Sequence, residues 1–158
     1  MNRNPITPEG YERLVADLKR HKEVVRPGIV RDIEEARAHG DISENSEYED
    51  AKERQALCEG RIQELESLVA TAEIIDIKKI PPSDRVVFGT TVVIENVDSG
   101  EERTWRLVGQ TESDIKQGTI YFQSPLGRAL VGRSEGDEVR VDAPGGSQHW
   151  EIVEVRYA

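Results

Sequence analysis

Two helical patterns open the chain, and they are unequal in regularity. In the first, apolar or small positions run Tyr11, Leu14, Leu18, His21, Val25, Ile29, Ile33, Ala36. The steps are threes and fours, which place one face of a helix along a seam. Three consecutive steps of four fall between His21 and Ile33, around Pro27. That spacing predicts a stutter or bend, because proline lacks a backbone donor and crowds the preceding turn. Thr7 is the expected N-cap, Pro8 the first helical residue and Gly40 the C-terminal cap. In the second pattern, Tyr48, Ala51, Gln55, Cys58, Ile62, Leu65, Val69 and Ala72 alternate threes and fours without a break. This is a heptad seam. Ser46 followed by Glu49 predicts a capping box at its start. So few residues separate the helices that they must return antiparallel, as a hairpin over about residues 8–75.

The pattern changes after the prolines at 81 and 82. Runs of period two follow: TTVVIENV, ERTWRLV, TIYFQ, EVRVDAP and HWEIVEVRY. Turn signals separate them at Asp98-Ser99-Gly100, Gly118, Gly136-Asp137 and Gly145-Gly146. Ile74–Ile77 is also expected to be extended. SPLGRALVG is the one short helical insert. The expected fold class is α+β: a helical hairpin over 1–76, a linker over 77–83, and a mostly antiparallel β domain with one helix over 84–158. Trp105, Tyr121, Phe122 and Trp150 are expected in the core of that domain.

Composition narrows the function. Apolar residues are 36% and charged residues 33% of 158, lean for one globular core, so part of the chain should be elongated. A net charge of −10 argues against independent grip on nucleic acid, which needs a basic surface. A basic partner, or a metal held between partners, fits better. One cysteine, Cys58, cannot form an internal disulfide, and no cysteine–histidine cluster suggests zinc. No stretch has the apolar run of a membrane span or the core of a signal peptide, so a cytoplasmic location is expected.

Acids crowd the junction of the helices, at Asp41, Glu44, Glu47, Glu49 and Asp50. Asp41 follows the end of a helix, where the dipole disfavours an anion by roughly 0.3–1 kcal/mol. Glu44 precedes the next helix, where an anion is favoured. Two carboxylates three residues apart can converge on a hard cation such as Mg²⁺, but they do not fill its shell. They could complete a metal site in another protein's active centre. Spacing alone leaves this open beside the plainer reading of a solvated helix end. At about 1.5 Å per residue, the first helix puts these acids on the order of 40 Å from its start.

The stretch ARAHGDISENSEYEDAKE with CEGRIQELE resembles the bacterial Gre transcript-cleavage factor family, and within it the GreA type. The likeness continues through VVFGTTVVIENVDSGEE, RLVG, SPLGRALVG and GDEVRVDAPGG, in order and over nearly the whole chain. It implies an N-terminal antiparallel coiled coil and an FKBP-like C-terminal domain. It implies that the coiled coil enters the secondary channel of bacterial RNA polymerase, whose intrinsic cleavage of backtracked RNA 3′ ends it stimulates.

On this resemblance, Asp41 and Glu44 are the tip acids that help hold a second Mg²⁺, shared with the polymerase and not bound tightly by the isolated protein. Gly40, Asn45 and Ser46 support the tip. Arg37 and Lys52 match the region that meets the nascent RNA 3′ end, although both could be helix-surface ion pairs. Ser124 and Pro125 match the polymerase-docking segment, although Leu126, Ala129 and Leu130 could equally make it a packing helix. The implied protein is a monomer that is not itself an enzyme. The rivals are a coiled-coil adaptor, a channel inhibitor that does not stimulate cleavage, a stand-alone metal nuclease and, by fold analogy, a prolyl isomerase.

Overall fold

The computed structural model describes residues 3–39 and 45–158. The chain divides into two compact units: Tyr11–Ala72, and Arg3–Gly10 together with Glu73–Ala158.

The first unit is the helical hairpin. Helix α1 spans Pro8–Arg20, a π-type turn spans His21–Val25, helix α2 spans Arg26–Ala38 and helix α3 spans Ser46–Ala70. Ile29 and Ile33 of α2 pack against Ala51, Cys58 and Ile62 of α3, with Leu18, Val25 and Tyr48 at the margin. The seam anticipated in both helices is therefore the buried face. Cross-helix ion pairs line the antiparallel hairpin: Arg26 to Glu59 through two contacts of 2.7 and 2.8 Å, Arg54 to Asp32 at 3.1 Å and Lys22 to Glu66 at 3.1 Å.

The irregular spacing around Pro27 takes the form of the π-type turn. The Arg26 N–H reaches back five residues to the His21 carbonyl. A π turn holds more than four residues, so a run of fours stays on one face through it. Pro27 then occupies the first turn of α2, where its missing donor costs little.

The second unit carries a five-stranded sheet. Its strands are β3 (Thr91–Asn96), β4 (Glu102–Val108), β5 (Thr119–Tyr121), β6 (Glu138–Ala143) and β7 (Gly146–Arg156). Their order across the sheet is β5-β4-β3-β7-β6, antiparallel except for the β4–β5 pair. Helix α4 (Pro125–Leu130) brings Leu130 into a core of Val86, Val92, Ile94, Leu107, Ile120, Val139, Trp150, Ile152 and Val155. These are the strands and the helix that the alternating runs predict. Strand β7 starts three residues earlier than the HWEIVEVRY run, because Pro144 and Gly145 alone close the turn from Ala143 to Gly146.

The unit boundaries differ from the expected ones. Residues 3–10 belong with the C-terminal unit because β1 (Asn4–Ile6) pairs with β2 (Ala72–Ile74). The Ile75 N–H adds a bond of 2.9 Å to the Ile6 carbonyl, and Ile6 is buried. The stretch 77–83 is not a free linker either. Ile77 is only 2% exposed, and Asp76 caps a single 3₁₀ turn over Ile77–Lys79.

Candidate functional site

The described residues frame the acidic junction from both sides. Asp41, Glu44 and Gly40 lie outside the described residues; His39 and Asn45 are the last and first described on either side. Helix α3 begins one residue earlier than the Ser46 capping box implies. Asn45 is the N-cap, its side-chain oxygen accepting the Tyr48 N–H at 3.1 Å. Ser46 is the first helical residue and is exposed. The other end of the Asn45 amide donates to the Ala36 carbonyl at 2.7 Å. That carbonyl is in the last turn of α2, where backbone acceptors lack helical partners; it also accepts the His39 N–H at 3.2 Å. One side chain thus ties the end of α2 to the start of α3.

The flanking groups are charged and exposed. His39 Nδ1 lies 3.6 Å from a Glu47 carboxylate oxygen. Arg37 sits with its guanidinium carbon 5.9 Å from the centre of the Tyr48 ring, a cation–π distance. Lys52 donates to Gln55 at 3.1 Å. Arg37 and Lys52 contact uncharged groups here, and among the described residues neither is paired with a carboxylate. Among the described residues, no group of three or more His, Cys, Asp or Glu is gathered closely enough to hold a metal ion.

Ser124 and Pro125 stand at the head of α4. Ser124 is the N-cap, its hydroxyl accepting the Gly127 N–H at 3.1 Å, and Pro125 opens the helix as an exposed residue. Both line an open cleft of about 770 Å³ with Trp105, Ile115, Leu126 and Val141. Residues of β5 and β6, the two edges of the sheet, share this cleft, so the sheet curls. Ile115 is 73% exposed at its rim. Trp150 is in the core as expected. Trp105 and Tyr121 are not wholly core: they are half-buried and present part of their rings to the cleft. Alternation predicts an inward or outward face but not a cleft formed where two edges meet, so the sequence carries no local signal for it.

A second polar cluster surrounds the start of α1. Thr7 is its N-cap as expected, the hydroxyl accepting the Gly10 N–H at 3.1 Å. Glu9 in the first turn lies 3.7 Å from Arg106. Its carboxyl is held below the ordinary carboxylate value, first by its own backbone amide and then, against a burial penalty, by Thr7, Arg106 and Lys78. The Glu112 carboxylate accepts from the Thr7 hydroxyl and, at 2.9 Å each, from the Thr7 and Gly109 N–H groups. Among the described residues no helix is long and apolar enough to cross a membrane.

Comparison with known proteins assigns both halves. Residues 4–74 match the family described as "Transcription elongation factor, N-terminal" and residues 81–157 the one described as "Transcription elongation factor, GreA/GreB, C-term". Transcription elongation factor GreA of Methylococcus capsulatus is 49% identical over 99% of both chains. Its counterpart in Brucella anthropi is 50% identical over the same shares. Among solved structures, a GreA/GreB elongation factor from Nitrosomonas europaea is 27% identical over 99% of this chain and 100% of its own, with a TM-score of 0.44. The chain belongs to the GreA/GreB family of transcription elongation factors.

Proposed function

We propose that this elongation factor docks on bacterial RNA polymerase through its C-terminal unit and places its hairpin tip in the polymerase's secondary channel. There it stimulates the polymerase's own hydrolysis of the 3′ end of a backtracked RNA, so that an arrested complex resumes elongation. The observation that carries this reading is the Asn45 tie between α2 and α3, which fixes the two ends that flank Asp41 and Glu44.

Asp41 and Glu44 would hold a Mg²⁺ ion. Their oxygens are hard donors of the kind that ion takes, so the donor set fits. When bound, a second Mg²⁺ in a phosphoryl-transfer centre lowers the pKa of an attacking water and orients it. Two carboxylates fall well short of an octahedral shell, so the remaining ligands come from the polymerase and the RNA phosphates. On this reading the chain does not hydrolyse RNA alone and has little metal affinity of its own. Arg37, set against Tyr48, and Lys52 face the RNA near its 3′ end. Ser124 and Pro125, which line the cleft, contribute to docking.

The test is to add the purified protein to halted bacterial elongation complexes and follow RNA length. Shortening of the RNA from its 3′ end only when both proteins are present supports the reading. Cleavage by the isolated protein would make it a nuclease, and binding without cleavage would leave an inhibitor.

A further inference from the structure

The Glu112 carboxylate gathers three hydrogen bonds in the second unit, and the tip chemistry does not use it. Thr7 is 2% exposed. Its hydroxyl accepts from the Gly10 N–H and donates to one oxygen of Glu112, while its own N–H donates to the other at 2.9 Å. The second oxygen also takes the Gly109 N–H at 2.9 Å. A capping hydroxyl whose proton is held by a carboxylate has its lone pair directed at the helix, so Glu112 orients the cap through Thr7.

The surroundings are tight. A Cβ on residue 10 would overlap the Glu112 carboxylate, and a Cβ on residue 109 would overlap the Pro5 carbonyl. Two glycines thus admit the close approach of the N-terminal segment to the loop that carries Glu112. All of these residues belong to the second unit, whereas α1 continues past Gly10 into the first. The helix that leads to the tip therefore has its first turn held by the unit assigned to docking.

We infer that Glu112 is a positioning residue for the cleavage-stimulating activity: by orienting the Thr7 cap it fixes the first turn of helix α1 and so couples docking of the second unit to delivery of the tip. The inference rests on the function proposed above. Without the carboxylate, the Thr7 hydroxyl and the Thr7 N–H lose the acceptor that orients them, so the first turn of α1 loosens although β1 stays paired with β2. Docking then persists, but the tip acids spend less time in place.

The test uses full-length variants on backtracked complexes, with the cleavage rate measured against factor concentration. Glu112→Gln keeps the size but turns one acceptor into a donor. Gly10→Ala leaves Glu112 in the sequence and displaces it by bulk, even though alanine is the better helix former. Thr7→Val removes the hydroxyl, and Thr7→Ser restores it. The first three variants are expected to lower the saturating cleavage rate by about tenfold or more, as loss of orientation commonly does. The half-saturating concentration is expected to change by less than about twofold, because docking surfaces are untouched. Thr7→Ser is expected to behave as wild type. Amide exchange at positions 7 and 10 should accelerate in the three impaired variants.

A wild-type saturating rate in Gly10→Ala and Thr7→Val, with their amides demonstrably released, would overturn the inference. So would a loss confined to the half-saturating concentration, which would place the cluster in docking. If the wild-type protein itself gives no cleavage, the functional reading has failed, and unchanged amide exchange in Glu112→Gln would separately refute the role of Glu112 in holding the turn.

Discussion

The Asn45 side chain donates to the Ala36 carbonyl at 2.7 Å while accepting the Tyr48 N–H at 3.1 Å, so one amide serves the last turn of α2 and the first turn of α3 at once. An ionised aspartate, which only accepts, cannot do both. Asn45→Asp keeps the capping acceptor and adds a charge that a helix N-terminus favours by about 0.3–1 kcal/mol. It also sets a carboxylate against the Ala36 carbonyl. We expect Asn45→Asp to lower the stability of the hairpin by about 1–3 kcal/mol despite the better cap. Thermal unfolding of the two proteins decides it: an aspartate variant as stable as wild type would show that the bond to Ala36 contributes nothing.

Two glycines in helices are expected to respond to alanine with opposite signs. Gly60 lies in α3 on the exposed face, with nothing within 4 Å of where a Cβ would sit. Gly60→Ala should stabilise the hairpin by roughly 0.5–1 kcal/mol, the ordinary difference in helix propensity. Gly127 lies in α4, where a Cβ would come within 2.5 Å of the Phe122 carbonyl and 2.6 Å of that of Tyr121. Both are backbone atoms and cannot step aside. Gly127→Ala is expected to cost about 1–3 kcal/mol and to weaken polymerase binding by shifting the head of α4 beside the cleft. Chemical denaturation and competition binding measure the two effects.

The heptad seam of α3, the strands and the Thr7 cap were legible because each depends on residues within a few positions of one another. Thr7 bonds Gly10 three residues on; Ile62 and Leu65 repeat the step that started at Tyr48. The start of α3 was off by one because Asn45 and Ser46 are both good caps, and the choice between them is made by Ala36, on the other helix. What was not legible is long-range. β1 is three residues with a proline, and only its pairing with β2, 68 positions later, makes it a strand. Glu112 is 105 positions from Thr7 and looks like one more exposed acid in GQTESD. The cleft beside Ser124 exists because a curled sheet brings β5 and β6 to one place, which no run of residues announces. Asp41 and Glu44 came from chemistry and resemblance rather than from packing.

Acid is expected to weaken the attachment of residues 3–10. The Glu9 carboxyl is held below its ordinary value of 4.5 by its own amide, with Thr7, Arg106 and Lys78 adding to the effect. A carboxyl with a lower pKa folded than unfolded contributes stability above the ordinary value and loses it as the pH falls through the folded value. Amide exchange in the first turn of α1 should therefore rise below about pH 4.5 in excess of the general acid effect, and Glu9→Gln should remove that excess. The side chain is about half exposed, so the effect is small and should shrink in high salt.

The tip acids give the sharpest expectation. The buried seam of the hairpin is made by Ile29, Ile33, Ala51, Cys58 and Ile62, and its cross-helix ties by Arg26–Glu59, Arg54–Asp32 and Asn45–Ala36. None of these draws on residue 41 or 44. Asp41→Ala or Glu44→Ala should therefore leave unfolding within about 0.5 kcal/mol of wild type, as for most substitutions away from a core. Polymerase binding should persist, since the second unit is unchanged. Stimulated cleavage should be lost, because each change removes one ligand from a shell that two carboxylates already leave incomplete. If occupancy of the metal is what fails, raising Mg²⁺ should recover part of the rate in the single variants and less in the double variant. The measurement is cleavage of backtracked RNA at matched polymerase occupancy across a Mg²⁺ titration. Full activity in Asp41→Ala would end the metal-donor account. A loss that Mg²⁺ does not relieve in either single variant would instead assign these carboxylates to orienting the attacking water directly.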